Sequence, residues 1–115
     1  MTSIEFDVQG LLDYLGGDSE FAAQLIDIFF ADAATALDGI KSCAAVGDSK
    51  GLYEHLHALK GGAANIRAKA LHDFLQQLSE SVLNNSCNVE ELITRLDSEY
   101  QKAVEALSGW QRTVK

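Results

Sequence analysis

Apolar residues recur along most of this chain at spacings of three and four, the rhythm of amphipathic helices. The strictest stretch is Leu52, Leu56, Leu59, Ala63 and Ile66, a four-three alternation that predicts one buried seam on a single helix. A fourth helix, from about Lys69, carries Leu71, Leu75, Leu78 and Val82, and Asn84-Asn85-Ser86 ends it. Upstream, a long second helix runs from a cap at Asp18 or Ser19 to about Val46. Its expected stripe is Phe21, Leu25, Phe29, Ala33, Ala36, Ile40 and Cys43, and Gly47-Asp48 breaks it, with Asp48 the next cap. A short first segment, Asp7 to Leu15, places Val8, Leu11, Leu12 and Leu15 on one face before Gly16-Gly17. Asn88 and Glu91 have the spacing of a capping box. The fifth helix that follows carries Leu92, Leu96, Ala103 and Leu107 and is expected to stop near Ser108-Gly109. No stretch alternates like a strand. Short loops between long helices make neighbours antiparallel. The expected fold is all-α: an up-down antiparallel four-helix bundle with a short additional N-terminal helix.

Composition narrows the picture. A chain of 115 residues fits one domain, here expected to span residues 1–115, and suffices for a core without disulfides. A hydrophobic share of 47% excludes a disordered acidic tail, and the absence of proline permits long helices. No apolar run is long enough to span a membrane, and the N-terminus lacks the basic and apolar regions of a signal peptide. A cytoplasmic monomer is the default expectation. Cys43 reads as a small core residue and Cys87 as a loop residue, with no CxxC pair. The formal charge of −8 argues against nucleic-acid binding, which needs clustered Lys and Arg.

The third helix holds residues that the fold does not require. On a helical wheel with Leu52 at zero, its seam stays within roughly 40°, while His57 falls at about 140°, toward solvent. Lys60, Gly61 and Ala64 surround His57 at three, four and seven residues, and Tyr53 lies four residues before it. Each mid-helix glycine costs about 1 kcal/mol relative to alanine. Gly62, nearer the core flank, has a packing reason. Gly61, on the solvent side, does not, and its missing side chain clears space beside the imidazole. An exposed imidazole is a nucleophile near pH 7, and an adjacent ammonium can stabilise a transferring phosphoryl group.

The run His57-Ala58-Leu59-Lys60-Gly61-Gly62-Ala63-Ala64-Asn65-Ile66 resembles the signature of histidine-containing phosphotransfer (HPt) domains: His, any residue, Leu, Lys, Gly, small residues and an aliphatic. Leu11-Leu12-Asp13-Tyr14-Leu15-Gly16-Gly17-Asp18 is similar to the family's opening segment. Phe29-Phe30-Ala31-Asp32 with Leu37, and Ala70-Leu71 with Leu75 and Leu78, are similar to its second and fourth helices. The likeness covers roughly residues 8 to 85. It implies a carrier in a multistep His-Asp phosphorelay, part of two-component signal transduction. His57 would accept a phosphoryl group on Nε2 from a receiver-domain phospho-aspartate and pass it to another receiver. Lys60 would give electrostatic support and Gly61 steric clearance. The implied partners are response-regulator receiver domains, with a hybrid histidine kinase as a further candidate. The family often has a glycine ten residues after the histidine, where this chain has Arg67. The docking face is expected around Tyr53, Ala64 and Arg67, with Phe30 as an apolar contact or packed against the first helix.

No GxxxxGK[ST] loop or kinase-type glycine loop is present, so ATP-dependent self-phosphorylation is not expected; the resemblance implies a phosphotransfer carrier, not an enzyme. No cofactor is expected, and Mg²⁺ would belong to the receiver. The His55-Leu56-His57 pair would be a metal motif on a strand, but helical residues two apart point about 200° apart. His55 and His72 read as flank residues. A rival reading is a non-phosphorylated helical-bundle interaction or adaptor protein. The motif domain accounts for the chain with its own Met1, which favours a free-standing relay protein over a module of a larger kinase. Charge is also uneven: residues 1–38 carry −8, residues 39–72 carry +3 and residues 73–115 carry −3. The net-positive stretch is the one that holds His57, where an acidic receiver pocket would arrive.

Overall fold

Asp7, Asp18, Asp48 and Asn88 each accept a hydrogen bond from the backbone N–H three residues on, and each opens a helix. A computed structural model describes residues 6–85 and 88–114 of the chain. It contains α1 (Val8–Tyr14), α2 (Ser19–Val46), α3 (Ser49–Asn65), α4 (Lys69–Leu83) and α5 (Val89–Arg112). Cys87 and Ser86 lie outside the described residues, as does the extreme N-terminus.

The helix ends explain the short loops. Gly47, at φ 72°, closes α2: its N–H bonds Ala44 O, and Asp48 N–H reaches back to Cys43 O at 2.9 Å. That pair of bonds reverses the chain within two residues. The end of α3 repeats the device with Arg67 at φ 61°. Arg67 N–H bonds Ala64 O at 3.1 Å, and Ala68 N–H bonds Ala63 O at 2.9 Å. A left-handed residue is needed there, which accounts for the glycine that the resembled family often places at this position. Arginine holds it here at a cost of roughly 1–2 kcal/mol. The turn is pinned from outside by an isolated antiparallel bridge between Phe6 and Ala68, with Asp7 N–H donating to Arg67 O.

The four long helices form a ring in which α3 packs between α2 and α4, and α5 closes from α4 back onto α2, while α1 rests on α2. The contacts run in opposite directions along neighbours. Gly39 faces His55, Gly51 faces Cys43 and Gly62 faces Phe29 across α2 and α3. Lys41 pairs with Asp97 at 3.4 Å, while Gln111 donates to Ala23 O and Asp27 Oδ1 at the other end of α2 and α5. The all-α antiparallel bundle with its short first helix is thus the observed fold.

The expected seams of α3 and α5 are buried throughout, and so are Leu71, Leu75, Leu78 and Val82 of α4. Phe74 and Ser79 of α4 join them inside. The first half of the α2 stripe differs from expectation. Ala22 and Ile26 are fully buried, whereas Phe21 is 44% exposed and Leu25 half-buried. The strict four-three series on α2 is Ala22, Ile26, Phe29, Ala33, Ala36 and Ile40. Small Ala22 faces inward, and the bulk of Phe21 turns out. Asn88 supplies only the cap half of the expected capping box to Glu91 N–H, since the Glu91 carboxylate lies 4.0 Å from Arg95. α5 also runs past Gly109 to Arg112. One glycine costs about 1 kcal/mol. The last turn is held by Trp110 edge-on to Phe6 at 6.0 Å and by the two Gln111 bonds to α2.

Candidate functional site

The two histidines of α3 lie in opposite surroundings. The half-buried His55 ring packs over Gly39; a Cβ at Gly39 would sit 2.5–2.6 Å from three of its ring atoms. His55 is therefore a packing residue wedged between α3 and α2. His57, two residues on, is exposed. The ring of Tyr53, one turn earlier, stacks on it at 6.0 Å between centroids and 22° between planes. Tyr53 is itself half-buried against the core, so it offers the imidazole a fixed surface to lean on. His72, half-buried on α4, places Nδ1 3.1 Å from Asp73 Oδ1.

Around His57 the expected neighbours separate by role. Gly61 is exposed, and a Cβ built on it would meet nothing within 4 Å. Its neighbour Gly62 would bring a Cβ within 3.2 Å of the Phe29 ring, so close helix approach requires glycine there and not at Gly61. Ala64, one turn further, is exposed and small. Lys60 is half-buried and turns toward α4, where Nζ donates to Gln76 Oε1 at 2.6 Å. Gln76 Nε2 in turn donates to Glu80 Oε2 at 2.8 Å.

The other expected docking residues are placed elsewhere. Arg67 ends α3 about three turns beyond His57, and its guanidinium lies 5.4 Å from the ring centroid of Tyr14 on α1. Phe30 is half-buried against the core, 6.1 Å from the Phe29 ring. The positive stretch of sequence is not one patch either. Lys41 pairs with Asp97, and Lys50 lies about two turns before His57. Lys60 is the cation nearest to the imidazole along α3. Sequence reasoning missed Gln76 and Glu80, and it placed Phe21 in the core. Phe21 and Ile28 (55% exposed) are apolar surface. Leu25 and Ile28 line a small groove of about 100 Å³ with Gly62, Asn65 and Ile66. The surplus of apolar residues in Phe21–Phe30, more than one stripe can bury, was the available signal.

Cys43 packs against Gly51, whose Cβ would lie 2.6 Å from Sγ. Desolvation, with the Asp48 and Glu54 carboxylates adding to it, pushes the Cys43 thiol above its ordinary range. It stays protonated and serves packing. Among the described residues no three His, Cys, Asp or Glu side chains gather as a metal site. No described helix is long and apolar enough to cross a membrane. A groove of about 620 Å³ lies between the start of α2 and the end of α5, lined by Glu20, Asp27, Gln111 and Arg112, and does not include His57. The imidazole stands on open surface, a setting for a reactant carried by another macromolecule more than for a small substrate that needs enclosure.

Fold and site together define a class: a small bundle of antiparallel helices that presents a histidine on the outer face of a central helix. The Hpt domain family model matches residues 24–110. The chain belongs to the Hpt domain family, the histidine-phosphotransfer modules of phosphorelays. The crystal structure of histidine-containing phosphotransfer protein B (HptB) from Pseudomonas aeruginosa PAO1 has the same fold. It aligns with a TM-score of 0.83 over 97% of this chain and 98% of that one, at 20% sequence identity. A search of curated proteins by sequence finds no match.

Proposed function

We propose that this chain is a phosphocarrier that takes a phosphoryl group on His57 from the phospho-aspartate of a receiver domain and yields it to another receiver. The observation that carries the reading is the contrast at Gly61: a helix interior glycine with no packing partner, one turn from an exposed imidazole. The Nε2 lone pair attacks phosphorus, the P–N bond forms and the aspartyl P–O bond breaks. The carboxylate leaves on the receiver, and the ring proton remains on Nδ1. Positioning and charge neutralisation do most of the work in such transfers. On this chain they come from Tyr53, which braces the ring, and from Lys60, which supplies a positive charge one turn along α3. Gly61 and Ala64 leave the approach clear. Mg²⁺ stays on the receiver, and no ATP is consumed by this chain.

The receiver docks on the outward face of α3, centred on His57, with Tyr53 and Ala64 at its middle. Arg67 and Phe30 belong to its margins. Radiolabelled phosphate supplied on a panel of receivers from the same source should move to the wild-type chain from at least one of them. His57→Gln should remove that label and keep the helical content. Label that persists in His57→Gln would overturn the assignment. A receiver that binds the His57 face without transferring label would favour an adaptor.

A further inference from the structure

We propose that Gln76 and Glu80 of α4 are positioning residues that hold the Lys60 ammonium in place without neutralising it. The inference rests on the carrier reading of His57 for its purpose, but the clamp itself stands on the geometry of three side chains. A lysine side chain has four rotatable bonds and a strongly hydrated head, so an exposed one samples many positions. Lys60 is instead half-buried and bonded across helices, its Nζ 2.6 Å from Gln76 Oε1.

The choice of partner is what matters chemically. Surface lysines usually meet carboxylates, as Lys41 meets Asp97 and Lys102 meets Glu99 in this chain. Lys60 meets a neutral amide. A carboxylate at position 76 would hold the ammonium as well but cancel its charge where the phosphoryl group needs it. Glu80 sets which end of the amide faces Lys60. Its carboxylate can only accept, so it takes the Gln76 Nε2–H at 2.8 Å, one turn along α4. The carbonyl oxygen is left for the lysine. The amide thus stands between the acid and the ammonium, and keeps the negative charge one side chain away. Gln76 uses one of three ammonium N–H donors, and two remain for phosphoryl oxygens.

Two measurements test this. In ¹H–¹⁵N spectra of lysine ammonium groups on the unphosphorylated protein, Lys60 should give a slowly exchanging signal that Gln76→Leu removes. Absence of that signal in the wild type, or its survival in Gln76→Leu, would overturn the clamp whether or not the chain carries phosphate. In transfer from a phosphorylated receiver, Gln76→Glu should lower the limiting rate about tenfold or more, and Gln76→Leu about threefold, with the half-saturating receiver concentration little changed. Both effects should vanish when Lys60 is already alanine, because coupled residues are not additive. Equal losses in the two Gln76 variants, or losses that persist in the Lys60→Ala background, would contradict the proposal. Wild-type protein that takes label on another residue would sink the carrier reading and leave the spectroscopic result to decide the clamp.

Discussion

On the flank of α3 that faces α2, a histidine, a thiol and a phenyl ring each fill the space left by a glycine on the opposing helix: His55 over Gly39, Cys43 over Gly51 and Phe29 over Gly62. On the outward flank of the same helix, His57 and Gly61 use the same residue types, and the space stays empty. The first flank shows what glycine costs and gains in a packed hairpin. Each one gives up helix propensity, about 1 kcal/mol relative to alanine, and returns a close contact. The second flank has the same cost and no contact in return. That difference separates a packed histidine from an exposed one, although the two are only two residues apart, and it is what the proposed role of His57 rests on.

Substitutions can break the comparison, and the expected effects fall in order. Gly39→Ala should be the most damaging to stability. Its methyl group would occupy the His55 ring, and overpacking of this kind costs roughly 1–3 kcal/mol. For a domain of this size that is a loss of about 4 °C or more in Tm per kcal/mol, read by thermal unfolding. Adding His55→Ala should restore much of the loss, and neither change should alter phosphotransfer. Gly62→Ala should be milder, because the Phe29 ring must give by only a few tenths of an ångström and helix propensity offsets part of the strain. Gly61→Ala should reverse the sign and stabilise by up to about 1 kcal/mol, since nothing opposes the new methyl. The stability order Gly39→Ala below Gly62→Ala below Gly61→Ala is the outcome to measure; a destabilising Gly61→Ala would break the comparison. Gly61→Leu should fold as well as the wild type but transfer at least tenfold more slowly. Lys60→Ala should cost about 1 kcal/mol through loss of its bond to Gln76, yet slow transfer by more than that loss of stability accounts for; unchanged transfer would remove Lys60 from the mechanism.

The parts of this arrangement differ in how far sequence alone reveals them. The α3 seam is legible because Leu52, Leu56, Leu59, Ala63 and Ile66 are flanked by polar or small residues, leaving one face to bury. α2 is ambiguous because Phe21, Ala22, Leu25, Ile26, Ile28, Phe29 and Phe30 are all apolar, so two stripes compete and hydrophobicity alone favours the larger Phe21. Packing against neighbours chooses Ala22 and Ile26. The exposed placement of His57 follows from the wheel, and so does the packing role of Gly62. The Lys60–Gln76–Glu80 chain does not, because it depends on the register between α3 and α4, which no single-helix periodicity records. Arg67 shows a third case: its departure from the family pattern is visible in the chain, but its meaning needs the backbone angle, φ 61°.

The contrast between the two histidines is tested most directly by locating the phosphoryl group itself. Wild-type protein should be phosphorylated by a cognate phospho-receiver and the imidazole signals followed by ³¹P and ¹H–¹⁵N spectroscopy. The account predicts an acid-labile phosphoramidate on His57 Nε2, with the signals of His55 and His72 in their unmodified positions. A phosphoryl group on His55 or His72, or none on any imidazole, would contradict it.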